Sequence, residues 1–269
     1  MSIKEGIRLM EKRSGVGRRH MGIPGSDGNV RNLRAERASV VVESEDVIVG
    51  ILHYKAEKKL RKTLKDTIEL AGYKRFRTVV LDNGGLSKSI AKDFPDVKFI
   101  FAKQNLGMAK GYNRLLRERK KGQWFCMINE DNTVMRKGWL KELLTKGRKY
   151  VNTGAISYNF KGERKFNELL IKRIGKDAHV CASGAGFRLL SPRMINTIGG
   201  YFCPPTRTRW VSGLEYQERM RFAGFNIYVV DYDGHGIVHY GSMRGYVNEL
   251  NELRSRIQSY DMNNIFVRL

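Results

Sequence analysis

Asn129-Glu130-Asp131 sets an amide and two carboxylates directly after a hydrophobic run, Trp124–Ile128. A short buried strand that delivers acids to its carboxyl end is how open α/β sheets present a metal or phosphate site. Alternate residues on a strand point the same way, so Asn129 and Asp131 can face one cation together. Oxygen donors of this kind suit Mg2+ or Mn2+, which would bridge the oxygens of a diphosphate. An ordinary strand end that reaches solvent would read the same way, so the neighbouring stretches have to decide.

Two of them carry compatible chemistry. Asp82-Asn83-Gly84-Gly85 follows a strand-like segment. A carboxylate there can accept hydrogen bonds from a nucleobase imide or a ribose, and the glycines let a ligand approach the backbone, although the same tetrapeptide is also a common turn. Lys103-Gln-Asn-Leu-Gly-Met-Ala-Lys-Gly-Tyr-Asn113 leads into a predicted helix. Its small residues and helix N-terminus suit an anionic ligand, with Lys103 or Lys110 supplying charge. The spacing is not that of a phosphate-binding P-loop.

The elements that must position these residues alternate from Val47 onward. Hydrophobic periodicity predicts strands at 47–53, 77–81, 97–101 and 124–128, with helices at 57–70, 87–94 and 108–120 between them. Strand–helix alternation with short connections predicts a parallel sheet with helices on both faces. Beyond Trp139 the pattern is mixed. Strands are expected at 180–189, 226–231 and 236–240, and helices at 192–198, 213–223 and 247–259. The expected organisation is a basic, loosely ordered arm over 1–45, one domain over 46–240, and a helical extension over 241–269.

Composition narrows the partners. The chain has 269 residues, 41% of them hydrophobic, which is enough for a full core. No run of 18 apolar residues exists, and the first residues lack the apolar core of a secretory signal. Three widely spaced cysteines fit a reduced, cytoplasmic setting better than a disulfide framework or a zinc site. The net charge is +23, of which residues 1–37 supply only +5, from nine Lys/Arg against four Asp/Glu. The body therefore favours polyanionic company: nucleic acid, an anionic lipid face or phosphorylated substrates.

In this order the parts resemble the family 2 glycosyltransferases of the GT-A fold. Ile51-Leu-His-Tyr-Lys55 stands at the family's strand-one ending, and Asp82-Asn-Gly-Gly at its Asp-Asn-Gly-Ser turn. Asn105-Leu-Gly-Met-Ala-Lys-Gly-Tyr-Asn113 matches its Asn-x-Gly-x-Ala-x-x-x-Asn signature, and Asn129-Glu130-Asp131 its Asp-x-Asp position. Ser183-Gly-Ala-Gly-Phe-Arg188, Ile198-Gly-Gly-Tyr-Phe202 and Glu215-Tyr-Gln-Glu-Arg-Met-Arg-Phe-Ala-Gly-Phe225 resemble its glycine strand, its Ile-Gly-Gly-Phe turn and its catalytic helix.

The resemblance implies an α/β GT-A fold with a mostly parallel central sheet, helices on both faces and a small mixed acceptor-side half. It implies inverting transfer from a UDP-, dTDP- or GDP-sugar, with Mn2+ or Mg2+ held by Asp131, Asn129 and His239 (His235 being a rival). His53 and Asp82 would hold the nucleoside, and Ser183 and Gly184 would line the sugar pocket. Asn83, Lys103, Asn105, Gly107, Lys110 and Asn113 would complete the donor site. The acceptor's proton would go to Glu215, or failing that to Glu218. The expected acceptor is a glycan, a glycolipid or modified DNA, and the expected location is the cytoplasm, with peripheral contact at an anionic membrane face. Three positions depart from the family pattern: Asn129 replaces an acid, Ser87 replaces a second Asp, and the usual Glu-Asp pair before the last helix is not intact. These departures raise the alternative of a catalytically impaired, basic protein that binds a polyanion.

Overall fold

The computed structural model describes residues 42–84, 87–159, 170–174, 178–181, 187–201, 211–230 and 237–239. The first half follows the predicted alternation: β1 (Val47–His53), α1 (Glu57–Glu69), β2 (Phe76–Asp82), α2 (Lys88–Asp93), β3 (Lys98–Phe101), α3 (Gly107–Leu116) and β4 (Trp124–Asn129). Next come β5 (Asn132–Val134), α4 (Trp139–Lys149), β6 (Thr153–Tyr158), β7 (Leu170–Ile174), β8 (Ala178–Cys181) and β9 (Arg188–Leu190). The last described elements are α5 (Pro192–Ile198), α6 (Val211–Phe222), β10 (Asn226–Val230) and β11 (Ile237–His239).

Nine strands form one sheet in the order β3-β2-β1-β4-β9-β6-β10-β8-β7, and β11 pairs with β5 apart from it. From β3 to β4 every pairing is parallel. β9 then runs antiparallel between β4 and β6, and β8 and β7 are antiparallel beyond β10. The chain builds β1, β2 and β3 outward, then returns to place β4 on the other flank of β1. That reversal of strand order is where open α/β sheets bind ligands, outside the strands' carboxyl ends.

Both faces of the sheet are covered, so the central strands are apolar on both sides. One face packs Val47, Val49, Ile51, Trp124, Cys126 and Ile128 against Leu60 and Leu64 of α1, Ile90 of α2 and Leu140, Leu143 and Leu144 of α4. The other packs Ile48, Phe125 and Met127 against Tyr112, Leu115 and Leu116 of α3, Met194 and Ile195 of α5 and Tyr216 and Met220 of α6. Helix α1 buries Leu60, Thr63, Leu64 and Thr67, an i, i+3, i+4, i+7 stripe. Helix α3 can lie close to β1 because residue 111 is glycine, where a Cβ would come within 2.7 Å of Leu52 Cδ1.

Several boundaries differ from the sequence expectation. Helix α3 stops at Leu116, four residues early, because Gln123 turns the chain: its Oε1 accepts from Lys120 N and its backbone oxygen from Arg119. The single strand expected at 180–189 is two strands in different places, β8 beside β10 and β9 between β4 and β6. Among the described residues β5, α4, β6 and β7 were not anticipated. The helix expected at 247–259 and nearly all of the basic arm lie outside the described residues. Just before β1, Ser44 N donates to Gly122 O and Trp124 Nε1 donates to Glu43, which tie the chain to the domain.

Candidate functional site

The ends of β1 and β4 face the reversal point together, since Leu52 pairs with Asn129 in register. Asn129 ends the strand, and Glu130 and Asp131 form the turn between β4 and β5. Asn129 continues the side of Phe125 and Met127, and the Tyr112 hydroxyl donates to its Oδ1. Glu130 goes to the opposite side, where its Oε2 pairs with His53 Nδ1 and accepts from Tyr54 N at 2.6 Å. Thr63 of α1 donates to Glu130 O at 2.7 Å, fastening the same turn to the helix.

His53 is turned inward, away from the surface where a nucleoside was expected to meet it. Its side chain is 0% exposed, against 15% for its partner Glu130, and its Nε2 has no hydrogen-bond partner among the described residues. It braces the β4 turn from below. Asn132, the first residue of β5, is buried in the same region, and neither its side-chain nitrogen nor its oxygen has a hydrogen-bond partner among the described residues.

Asp82 is also buried. Its carboxylate accepts from Gly84 N at 3.0 Å, Ser87 N at 2.9 Å and Ser87 Oγ at 2.8 Å, so it organises its own loop. Ser87, one of the departures from the family pattern, is thus a hydrogen-bond donor to the acid. Asn83 links this loop to the next: its Nδ2 donates to Asn105 Oδ1 at 2.9 Å, and its Oδ1 accepts from Leu106 N at 2.7 Å. Asn105 Oδ1 also accepts from Gly107 N at 2.8 Å. Gly107 opens α3 at φ +73°, a left-handed conformation that a side chain would strain. Lys103 and Lys110 are exposed on this rim.

Asn113 has a structural task in place of the expected donor contact. It is buried, its Nδ2 donates to Tyr201 O at 2.8 Å, and its Oδ1 accepts from Tyr201 N at 2.7 Å. This clamp seats Tyr201 in a stack of three rings: 5.6 Å between the centroids of Tyr112 and Tyr201, and 4.1 Å between Tyr201 and Tyr216. Burial pushes the Tyr112 hydroxyl well above the usual phenol range, with Tyr201 and Asp131 adding to it, so it stays a neutral donor.

Glu215 is the clearest correction. It is 5% exposed on α6, and both of its oxygens bind the Arg219 guanidinium, which also donates to Ile198 O at 2.8 Å and Gly200 O at 2.7 Å. A carboxylate with both oxygens on a buried guanidinium holds the 198–200 turn and is not open to an acceptor hydroxyl. Glu218 is half-buried, and both of its oxygens accept from Arg221 Nη1, at 3.0 and 3.2 Å. Ser183 and Gly184 lie outside the described residues.

For a divalent cation the donor set is small. Asp131 is half-buried at the end of β4. The antiparallel pairing of β11 with β5 sets His239 opposite Asn132, one residue beyond Asp131; the side chain of His239 and all of His235 are outside the described residues. Asn129 has its oxygen engaged by Tyr112. Among the described residues no group of three or more His, Cys, Asp or Glu gathers. Mg2+ and related cations are commonly held by one or two carboxylates together with substrate phosphates. The chemistry of Asp131, with His239 beside it in register, fits a cation that arrives with a diphosphate and does not form a closed protein cage.

Sequence reasoning did not single out Tyr112, Tyr201 or Arg219. Tyr112 lay within a motif already marked for its glycines, and Arg219 stood four residues after Glu215, the spacing of a helical ion pair. No helix among the described residues is long and apolar enough to cross a membrane.

The model of the family "Glycosyl transferase family 2" matches residues 48–215, more than half of the chain. No curated protein matches the sequence. Among solved structures, mannosyltransferase PcManGT from Pyrobaculum calidifontis, in complex with GDP-Man and Mn2+, superposes with a TM-score of 0.63 at 15% identity, over 86% of this chain and 72% of that one. TarS 1-349 of S. aureus with UDP gives 0.59 at 14%, over 80% of this chain and 66% of that one. A mycobacterial protein gives 0.57 at 14%, over 86% and 78%. At these identities the likeness establishes the fold, which is GT-A.

Proposed function

The chain belongs to glycosyl transferase family 2 and is a glycosyltransferase, and from that premise we propose that it moves a sugar from a nucleoside-diphosphate sugar to an acceptor hydroxyl with inversion at the anomeric carbon. The observation that carries this is the corner at the strand reversal. There the turn after β4 carries Asp131 close enough to Tyr112 of α3 to raise its hydroxyl's pKa, and Asn83 and Asn105 lock the two flanking loops together.

The diphosphate lies toward the α3 N-terminus and Lys103 and Lys110, whose positive character favours an anion. The nucleoside lies over the 82–84 turn, where ligand contacts come from backbone and loop surface because the Asp82 carboxylate is occupied from within. Asp131 and His239 are the residues that would hold Mn2+ or Mg2+. When bound, such a cation supplies charge to offset the negative charge developing on the departing nucleoside diphosphate. With Glu215 engaged by Arg219, Glu218 is the helix acid with an oxygen near solvent, and we assign it the acceptor's proton. The solved relative from Pyrobaculum calidifontis carries GDP-Man and Mn2+, and TarS carries UDP, which supports UDP-, GDP- or dTDP-sugars as the donor class. A net charge of +23 supports an acceptor with anionic surroundings, such as a glycolipid, a phosphorylated glycan or modified DNA.

The test is a donor screen that reads release of nucleoside diphosphate from UDP-, GDP- and dTDP-sugars with and without Mn2+. One donor should be turned over, faster with Mn2+. A chain that hydrolyses none of them and binds no nucleoside diphosphate would sink the assignment.

A further inference from the structure

Asn129 stands where the family resemblance expects an acid, and the sequence alone makes it a weak metal ligand. The structure gives its side chain a different orientation. The amide oxygen accepts from the Tyr112 hydroxyl. Tyr112 is held rigidly: it is fully buried, stacked on Tyr201, and carried by α3, which Gly111 lets sit directly against Leu52. A primary amide is planar, so fixing Oδ1 toward Tyr112 turns Nδ2 away from it. No hydrogen bond from Asn129 Nδ2 exists within the described residues, and the residue is half-buried at the end of β4, so the amide nitrogen is not sealed in.

We infer that Asn129 is a hydrogen-bond donor to a phosphate oxygen of the nucleotide-sugar donor, and that Tyr112 is the positioning residue that sets its amide in that orientation. This rests on the donor site placed at the strand reversal. It changes the chemistry of the corner: of the two positions that alternate toward one face, only Asp131 is a ligand for a cation, and Asn129 binds the diphosphate through N–H.

A phosphate oxygen is favoured over a sugar hydroxyl because of the surroundings. The amide projects on the α3 side of the sheet, the side of the helix whose N-terminus and neighbouring Lys103 and Lys110 attract negative charge. The adjoining carboxylate of Asp131 repels an anion unless donors or a cation intervene. An N–H at residue 129 lets some diphosphate affinity survive without any cation, which an acid at that position could not provide. A hydrogen bond to a charged acceptor is worth more than a neutral one, so its loss should be measurable as affinity.

The experiment is calorimetric titration of the full chain with UDP and with GDP, each in EDTA and each with Mn2+, for the wild type, Asn129→Asp, Asn129→Ala and Tyr112→Phe. Circular dichroism melting confirms that each variant is folded; Asn129 is half-buried and Tyr→Phe keeps the ring stack, so all three should retain the wild-type transition. For whichever diphosphate the wild type binds, Asn129→Ala should weaken binding in EDTA about tenfold, and Asn129→Asp should weaken it further by placing a second carboxylate against the phosphates. Tyr112→Phe should weaken it about threefold, because the amide is present but no longer held. The loss should shrink in Mn2+, since a cation takes over part of the charge.

Tighter binding by Asn129→Asp in Mn2+ would overturn the inference, because a metal ligand would have been improved. Equal affinities of wild type and Asn129→Ala in EDTA would overturn it as well. A wild type that binds neither diphosphate in any condition would instead bring down the donor site itself, a result that the variants cannot mimic.

Discussion

Glu130 and Asp131 are adjacent acids that leave the same strand and enter different environments. Glu130 passes to the α1 face, where a buried imidazole, a backbone N–H and a threonine at its carbonyl secure it. Asp131 lies toward the α3 face, near enough to the buried Tyr112 hydroxyl to raise its pKa. Two carboxylates in sequence are therefore not a paired acid site. The turn after β4 ties one to the scaffold and leaves the other to the role proposed for it. The same division recurs on α6, where Glu215 is committed to Arg219 within the core and Glu218 lies toward solvent.

The largest effect that would test this division lies away from the crevice. Replacing Arg219 with Met takes the guanidinium from the buried Glu215 carboxylate and from the carbonyls of Ile198 and Gly200, and should cost about 3–5 kcal/mol of stability by urea denaturation. A small loss would mean that Glu215 is exposed and restore it as a candidate base. Next, Asp131→Ala should lower nucleotide-sugar turnover about 100-fold with little change in melting temperature, as expected for a residue that acts on developing charge. Near-normal turnover would erase the difference between the two neighbours. Glu130→Ala should do the reverse. It strips acceptors from His53 Nδ1 and Tyr54 N, should cost about 1–3 kcal/mol, and should leave turnover per folded molecule within a few fold. The smallest effect is expected at Lys55, a non-glycine residue at φ +63° beside the crevice. Lys55→Gly should relieve about 1 kcal/mol of backbone strain, seen as a small rise in melting temperature; a fall would show that the Lys55–Tyr54 cation–π contact at 5.1 Å outweighs the strain.

Much of the fold was legible because the parallel half is built from long, regular segments. Val47–His53 and Glu57–Glu69 carry strand and helix periodicity without interruption. The short strands β5 and β9 have three residues each, too few to establish a period, and are strands only because longer partners pair with them. Helix α4 was recoverable from Trp139, Leu140, Leu143 and Leu144, whose spacing marks a buried stripe. For the site, the sequence marked the loops but not the hydrogen bonds that their side chains make. Asp82, Asn83, Asn105 and Asn113 are polar residues in the two motifs marked for a ligand, and each is hydrogen-bonded to protein. Nothing in a motif states whether an amide meets a ligand or a neighbouring backbone, because that depends on which loop lies opposite.

The cross-link between Asn83 and Asn105 also has a thermodynamic consequence. The two loops that rim the proposed donor site are tied to each other through Asn83, which donates to Asn105 Oδ1 and Gly107 O and accepts from Leu106 N. Ordering a flexible segment on binding is a major charge against affinity. For a donor bound as proposed, the entropy of ordering Asn83, Asn105 and Leu106 is lost when the chain folds, so affinity at these residues is set by the contacts the ligand makes.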